Sequence, residues 1–504
     1  LRLRGRALLP FALALLAGLA QAISIAAPWN GQPQWWLQLL SLGALAWLLQ
    51  REPRPRRAFL LGWAFGTAWL TATWWWLFIS MHTYGGLPAV LTVIAVVGLA
   101  AFLALYYAAA AAFAAACNGR WGTIAFAALW SFAELLRVTV FTGFPWGAGG
   151  YAHLSGPLAG YAPWIGVHGM TFVAAFVAAS GAAMLRRRAG AVVATGALLL
   201  GLALPLLGEF STGAGRIAVT LLQGNIPQDE KFERGSGIPL ALDWYGRQLR
   251  DATSTLVVAP ETAIPLLPQQ LPEDYLAAVM QRYTGGKQAA LIGMPLGSMA
   301  DGYTNSVIGV KASGAAYRYD KHHLVPFGEF IPPLFRWFTE MMHIPLGDFN
   351  RGAVGQPSFE WSGQRFAPNI CYEDLFGEEL GQRFGDAATA PTVFVNVSNI
   401  GWFGDTIAID QHLQISRLRA LEFERPMLRA TNTGATVIID HHGVVTHSLA
   451  RYTRGVLTGE VEGRNGITPY AWWVARAGLW PLWLLFAAIA GRALWQRRRA
   501  GAAT

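Results

Sequence analysis

The sequence predicts a membrane-embedded α-helical bundle of about eight spans that carries one α/β domain between the seventh and the eighth. Three observations predict it. The 504 residues are 54% hydrophobic and only 13% charged, which is unusual for a soluble chain. Long apolar runs alternate with short arginine clusters. One stretch, residues 208–466, breaks this pattern: it holds nearly all the acids and alternates short β-branched runs with helical ones.

The apolar runs are Ala7 to Ala22, Trp35 to Leu49, Ala58 to Ile79, Leu87 to Cys117, Trp121 to Leu136, Pro163 to Leu185, Ala191 to Leu207 and Trp472 to Ala490. Each reaches or approaches the length that spans roughly 30 Å of hydrocarbon, the second and fifth being short. Arg2, Arg4 and Arg6 before the first run resemble a signal peptide, but no cleavage site follows and further spans come at once, so an uncleaved helix is expected. Basic residues mark alternate loops: Arg51, Arg54, Arg56 and Arg57, then Arg120, then Arg186 to Arg188, then Arg492 and Arg497 to Arg499. The loops 24–34 and 80–86 carry no lysine or arginine. The positive-inside rule therefore puts both termini in the cytoplasm and residues 208–466 outside, which in a bacterium means an inner-membrane protein with a periplasmic domain. The division expected is 1–209, 210–466 and 467–504. A net charge of +9 held in such clusters describes membrane topology and excludes a nucleic-acid face. Trp74, Trp75 and Trp76 fit an interfacial aromatic belt. Glu134 and Arg137, at helical spacing, fit either a local ion pair at a helix end or a lipid entry route.

Within the outer segment, strand-like runs at 217–222, 255–258, 289–292, 305–310, 316–319, 366–370, 393–397 and 436–439 alternate with helical stretches at 240–250, 274–283 and 411–424. This alternation is the α/β signature.

Three residues far apart in the sequence each end a strand: Glu261, Lys321 and Cys371. Catalytic groups gather at strand ends in α/β sheets. A lone cysteine is ordinarily a small buried hydrophobe, and Cys117, at the end of an alanine-rich run, fits that. Cys371 lies instead where a strand runs into Tyr372 and then the acids Glu373 and Asp374, which oppose a thiolate unless a base and a cation come from elsewhere. Glu261 can take the thiol proton, Cys371 attack an acyl carbonyl, and Lys321 balance the charge that develops on oxygen. Two cysteines argue against a disulfide framework. The histidines come as neighbours, His322 with His323 and His441 with His442, a spacing that rarely converges on one ion, so no metal is expected.

Lys321 to Phe330, Pro260-Glu261, Asn369 to Glu373 and Asn396 to Asn399 together resemble the nitrilase superfamily, whose triad is Glu, Lys and Cys in that order. The motifs Gln223 to Gln228, Thr142 to Trp146, Arg425 to Arg429 and Thr431 to Gly434 narrow the resemblance to the apolipoprotein N-acyltransferase family, and it covers essentially the whole chain. It implies an αββα sandwich for the outer domain. It also implies ping-pong transfer of an sn-1 acyl chain from a phospholipid, typically phosphatidylethanolamine, through a Cys371 thioester to the α-amino group of a diacylated apolipoprotein. No cofactor is implied, and a monomer is expected. Carried over by motif, Glu261 is the base, Lys321 the oxyanion partner and Glu329 and Glu373 the supporting carboxylates, while Tyr372 offers its backbone N–H to the oxyanion. Phe232, Ala259, His322 and Ile400 depart from the residues most frequent in the family, and Phe232 stands where an acyl or lid contact is implied. The apolar loops 327–338 and 400–403 are expected to shield the thioester from water. The competing reading, a membrane-anchored amidase or nitrilase, needs only the triad and leaves the many helices unexplained.

Overall fold

The computed structural model describes residues 2–117, 121–184, 189–298, 300–312, 316–331 and 349–502. Its chain divides into two compact units. One comprises Leu1–Phe78, Leu87–Gly208 and Ala477–Thr504, the other Ile79–Gly86 with Glu209–Arg476.

The first unit is helical: α1 (Arg2–Ile25), α2 (Trp35–Leu49), α3 (Pro55–Trp74), α4 (Ala89–Ala116), α5 (Gly122–Thr139), α6 (Ala162–Met184), α7 (Ala189–Ala203) and a last helix, Trp480–Ala502. Among the described residues five helices are long and apolar enough to cross a membrane, or six if the pair flanking Gly478 is one broken span. That is fewer than the eight expected. α2 has only 15 residues, and α3 opens on Arg56 and Arg57, which dilute its apolarity. α5, expected short, runs for 18. The eighth run does not start at Trp472: Gly478, at φ +52°, separates helix Pro469–Ala477 from the one that begins at Trp480. Of the basic clusters, Arg120 and Arg186 to Arg188 lie outside the described residues.

Small residues let these helices approach closely. A Cβ at Gly62 of α3 would stand 2.5 Å from the Cβ of Ala111 on α4. Between α5 and α6 the chain turns irregularly, and Gly149–His153 is buried, so its polar backbone must find partners inside the bundle. Glu134 provides them. Its carboxylate accepts from Gly149 N–H (2.8 Å), His168 Nδ1 (2.7 Å) and Thr171 Oγ1 (2.9 Å). Arg137 donates to Tyr107 Oη (3.0 Å) and to the carbonyls of Phe144 and Trp146. Both charges thus clamp the 144–149 turn. Trp74 and Trp76 do the same work: both are buried, Trp74 Nε1 donates to the Trp146 carbonyl (3.1 Å), and the Trp76 ring packs 4.8 Å from that of Trp146. Only Trp75 of the expected belt is exposed.

Among the described residues the second unit is built on twelve strands: β1 (Ser211–Gln223), β2 (Leu256–Ala259), β3 (Ala289–Ser298), β4 (Gly302–Val310), β5 (Tyr317–Asp320), β6 (Phe359–Trp361), β7 (Gln364–Ile370), β8 (Val393–Ser398), β9 (Met427–Thr431), β10 (Val437–Ile439), β11 (Val445–Ser448) and β12 (Gly455–Gly466). They form two six-stranded sheets, ordered β12-β1-β2-β3-β4-β5 and β11-β10-β9-β8-β7-β6. The central strands run parallel: β1, β2 and β3 in one sheet, β7, β8 and β9 in the other. Alternation along each strand makes the layers. Leu256 and Val258 face the core between the sheets with Val395, Val397 and Leu428, while Val257 and Ala259 pack outward against α8 (Gly237–Asp251) and α9 (Tyr275–Gln281). On the second sheet Ala367, Phe394 and Met427 meet Phe423 and Tyr470 from helices Ile407–Phe423 and Pro469–Ala477. The stacking is αββα, as the resemblance implies. The excursion Ile79–Gly86 belongs to this unit, where Tyr84 meets Trp402 edge-on at 5.6 Å.

Candidate active site

Glu261 follows β2, Lys321 follows β5 and Cys371 follows β7, so the strand ends of both sheets contribute. Lys321 Nζ, fully buried, lies 2.9 Å from Glu329 and 3.6 Å from Glu261. Asn305 Nδ2 bridges the two carboxylates, at 2.6 Å from Glu261 and 2.9 Å from Glu329. Their remaining oxygens accept backbone N–H groups, Asn399 to Glu261 (2.7 Å) and Val325 to Glu329 (2.8 Å). Burial works against the charge on Lys321, but Glu329, Glu261 and Cys371 outweigh it and hold its pKa above that of an ordinary lysine. Burial likewise pushes the Cys371 thiol up to about 12, Glu261 pushing in the same direction and Lys321 and Ser398 against it. The resting site is therefore a neutral thiol beside a carboxylate and a fixed ammonium. Such a group can ionise its sulfur as it attacks and balance a new negative charge on the attacked oxygen.

Cys371 sits at φ +52°, in the left-handed region that non-glycine residues avoid at a cost of about 1–3 kcal/mol. A buried network holds it there. Asn396 Nδ2 donates to the Cys371 carbonyl (3.2 Å), and His412 Nε2 lies 3.2 Å from the same oxygen and 2.9 Å from Asp374. Arg429 Nη2 lies 2.7 Å from His412 Nδ1. A guanidinium can only donate, so Nδ1 accepts and the imidazole proton is on Nε2. His412 is buried, and burial together with Arg429 lowers its pKa, keeping it neutral.

Glu373 joins the strand carrying the thiol to the loop after Lys321. Its oxygens accept from Ile370 N–H (2.7 Å), Tyr319 Oη (2.7 Å), His322 N–H (2.7 Å) and His323 N–H (3.2 Å). Burial raises its pKa, and the Ile370, Tyr319 and His322 donors together with the Lys321 charge oppose the rise. Tyr372 is buried, packed edge-on against Phe376 at 5.3 Å. Phe232 is about half exposed, its ring centroid 5.8 Å from Lys231 Nζ. Of the two expected covering loops, 332–338 lies outside the described residues, while Ile400–Phe403 is a 3₁₀ turn with Ile400 buried and Trp402 exposed.

The chain matches two family models, the apolipoprotein N-acyltransferase N-terminal domain over residues 9–180 and carbon-nitrogen hydrolase over residues 218–467. It is 59% identical over 502 residues to a protein of Verminephrobacter eiseniae named apolipoprotein N-acyltransferase, the match covering 92% of each chain. The chain belongs to the apolipoprotein N-acyltransferase family. A relative from Ralstonia nicotianae with the same name is 46% identical over 93% of this chain and 91% of its own. Among solved structures, a CN-hydrolase superfamily protein from Xanthomonas campestris aligns over 54% of this chain and 97% of its own, with a TM-score of 0.36 and 19% identity.

Of the motifs by which the sequence resembles the N-acyltransferase family, those within the second unit stitch the site together. Asn432 exchanges hydrogen bonds with the Ile226 backbone (3.0 and 2.9 Å) and donates to Asn399 Oδ1 (3.2 Å), and Asn399 Nδ2 donates to Gln228 (2.8 Å). The Asn399 N–H on Glu261 is thereby fixed from β1, β8 and β9 at once. Sequence reasoning assigned no role to Asn305, His412, Asp374, Arg429 or Lys231. Arg429 and Asn399 lay within quoted motifs and carried that much signal. His412 and Lys231 lie in helical and charged stretches that resemble solvated surface, and only the fold buries them. Glu209, His441 and His442, among them the neighbouring histidines discounted for a metal, bring ligand atoms within 4.8 Å of one another, but Arg464 already occupies the other carboxylate oxygen of Glu209.

Proposed function

We propose that this chain transfers an acyl chain from a phospholipid to the α-amino group of the diacylglyceryl cysteine that begins an apolipoprotein. The observation that carries the reading is the cluster of buried Glu261 and Lys321 with partly buried Cys371, in a chain nearly 60% identical to a named N-acyltransferase over its length. Glu261 takes the thiol proton as Cys371 Sγ attacks the sn-1 ester carbonyl, and Lys321 with the Tyr372 N–H balances the oxyanion. Collapse expels the lysophospholipid alkoxide, which receives that proton, and leaves a thioester. The acceptor amine then attacks the thioester, Glu261 takes the proton the nitrogen sheds and returns it to the departing Cys371 sulfur, and the new bond is an amide. Glu329 keeps Lys321 charged and Glu373 keeps its loop on β7. Phe232 is assigned to acyl contact or lid. A thiol makes a thioester from an existing ester by exchange, so no activated donor is required. Acyl chains that stay in lipid avoid an exposure cost of about 0.8 kcal/mol per methylene.

Phosphatidylethanolamine is the donor proposed, and the active unit a monomer. Residues 1–209 and 467–504 form the membrane part in the inner membrane and 210–466 the periplasmic catalytic part, supported by the arginine-poor loops on that side. A cysteine placed at Gly235, in a chain with Cys117 and Cys371 changed to Ala, is expected to react with a membrane-impermeant maleimide once the outer membrane is opened. Protection until the inner membrane is lysed would reverse the orientation. The function itself is tested by incubating purified protein with phospholipid and a diacylated lipopeptide. A mass gain of one acyl chain on the peptide, lost in Cys371→Ser and kept in Cys117→Ser, is the expected result. Ammonia release from a small amide without peptide acylation would favour the amidase reading.

A further inference from the structure

Lys231 is a second lysine buried at this site, with no exposed surface. Its ammonium donates to the main-chain carbonyl of Glu261 (3.1 Å). That carbonyl belongs to a turn under strain, since the next residue, Thr262, is β-branched and sits at φ +48°. The same side chain feels both Glu261 and Cys371 electrostatically. The charges also need it. Glu261 and Glu329 bring two negative charges and Lys321 one positive, and Arg429, another buried cation that reaches Cys371, is matched by Asp374 at 3.5 Å, so without Lys231 this set is one negative charge in excess before the thiol ionises. Thiolate formation would then put a second uncompensated charge into a buried place, where pairing is what makes ionisation tolerable.

We propose that Lys231 is a positioning residue for the reaction: it pins the strained Glu261–Thr262 turn so that the carboxylate faces the thiol, and it supplies the positive charge that lets Cys371 ionise. The inference rests on Cys371 being the nucleophile. Burial lowers the Lys231 pKa to about 8, with Glu261 and Cys371 opposing the drop, so this cation is given up well below the pH at which a thiol held near 12 ionises in bulk. A specific signature follows from that coupling. Below about 8 the ion pair of thiolate and ammonium grows as pH rises; above it, thiolate with ammonium and thiol with free amine hold the same number of protons, and their ratio stops depending on pH.

The test is the rate of Cys371 alkylation by iodoacetamide against pH, read by peptide mass on the full-length protein in detergent, with melting temperature recorded alongside. The parent is expected to rise with pH and level off near 8. Lys231→Met is expected to react at least tenfold more slowly at neutral pH and to keep rising without that plateau, and Lys231→Arg to recover part of the neutral rate. A parent profile that climbs through 8 without levelling overturns the proposal and needs no variant. So does a Lys231→Met profile that keeps the plateau, even if its melting temperature falls, because that outcome makes Lys231 structural only. Failure of phospholipid to acylate Cys371 in the parent would instead sink the nucleophile assignment.

Discussion

Each side chain of the triad is set against its own ordinary behaviour. Cys371 is held as a thiol by burial and by Glu261, while Lys321 stays charged in spite of burial because two carboxylates face it. The two functions of Glu261 can therefore be separated. As the proposed general base it would contribute about 10²–10⁴-fold in rate, and as a negative charge it hinders the resting thiol from ionising. Glu261→Gln is accordingly expected to lose acyl-enzyme formation by at least a hundredfold while Cys371 alkylates faster than the parent in mildly alkaline buffer. Intact-mass time courses with phospholipid, and alkylation rates beside them, check both halves. Undiminished acylation would remove Glu261 from the chemistry, and unchanged alkylation would mean that its charge does not reach the sulfur.

At the scale of elements, what is legible in the sequence is what obeys a period. The buried parallel strands are continuous apolar runs, and β2, β7 and β8 form within a residue or so of their expected places, which is why the ends bearing Glu261 and Cys371 could be named. Four strands escaped. β9 carries the buried Arg429 inside it, and β12 alternates Glu460, Glu462 and Arg464 with small residues, so neither resembles a half-buried strand on hydrophobicity alone. β6 and β11 are short edges, of three and four residues. Lys231 was hidden for a related reason: it lies in the charged run Asp229 to Arg234, and nothing local distinguishes the one charge that tertiary contacts bury from its exposed neighbours. The tryptophan trio failed in the opposite direction. Interface preference explains Trp75, whereas Trp74 and Trp76 answer to the irregular turn they cover.

The molecule as a whole joins a helical unit whose polar groups serve to hold one buried turn to a sandwich whose polar groups serve to hold one cysteine. The sandwich is not contiguous in sequence, because Ile79–Gly86 reaches it from between α3 and α4. No periodicity announces such an excursion; the Tyr84–Trp402 contact shows it. Stability, which belongs to the entire fold, records what the cysteine turn demands. At φ +52° glycine is the residue the backbone itself favours, so the side chain proposed to do the chemistry is the one the fold would discard if folding were all that mattered. Cys371→Gly is expected to melt above Cys371→Ala, by about 1 kcal/mol in unfolding free energy, and a lower melting point for glycine would show that the turn is unstrained. A lineage released from selection for activity would then drift toward glycine at this one position, and its descendants would carry sturdier sandwiches with nothing left to acylate.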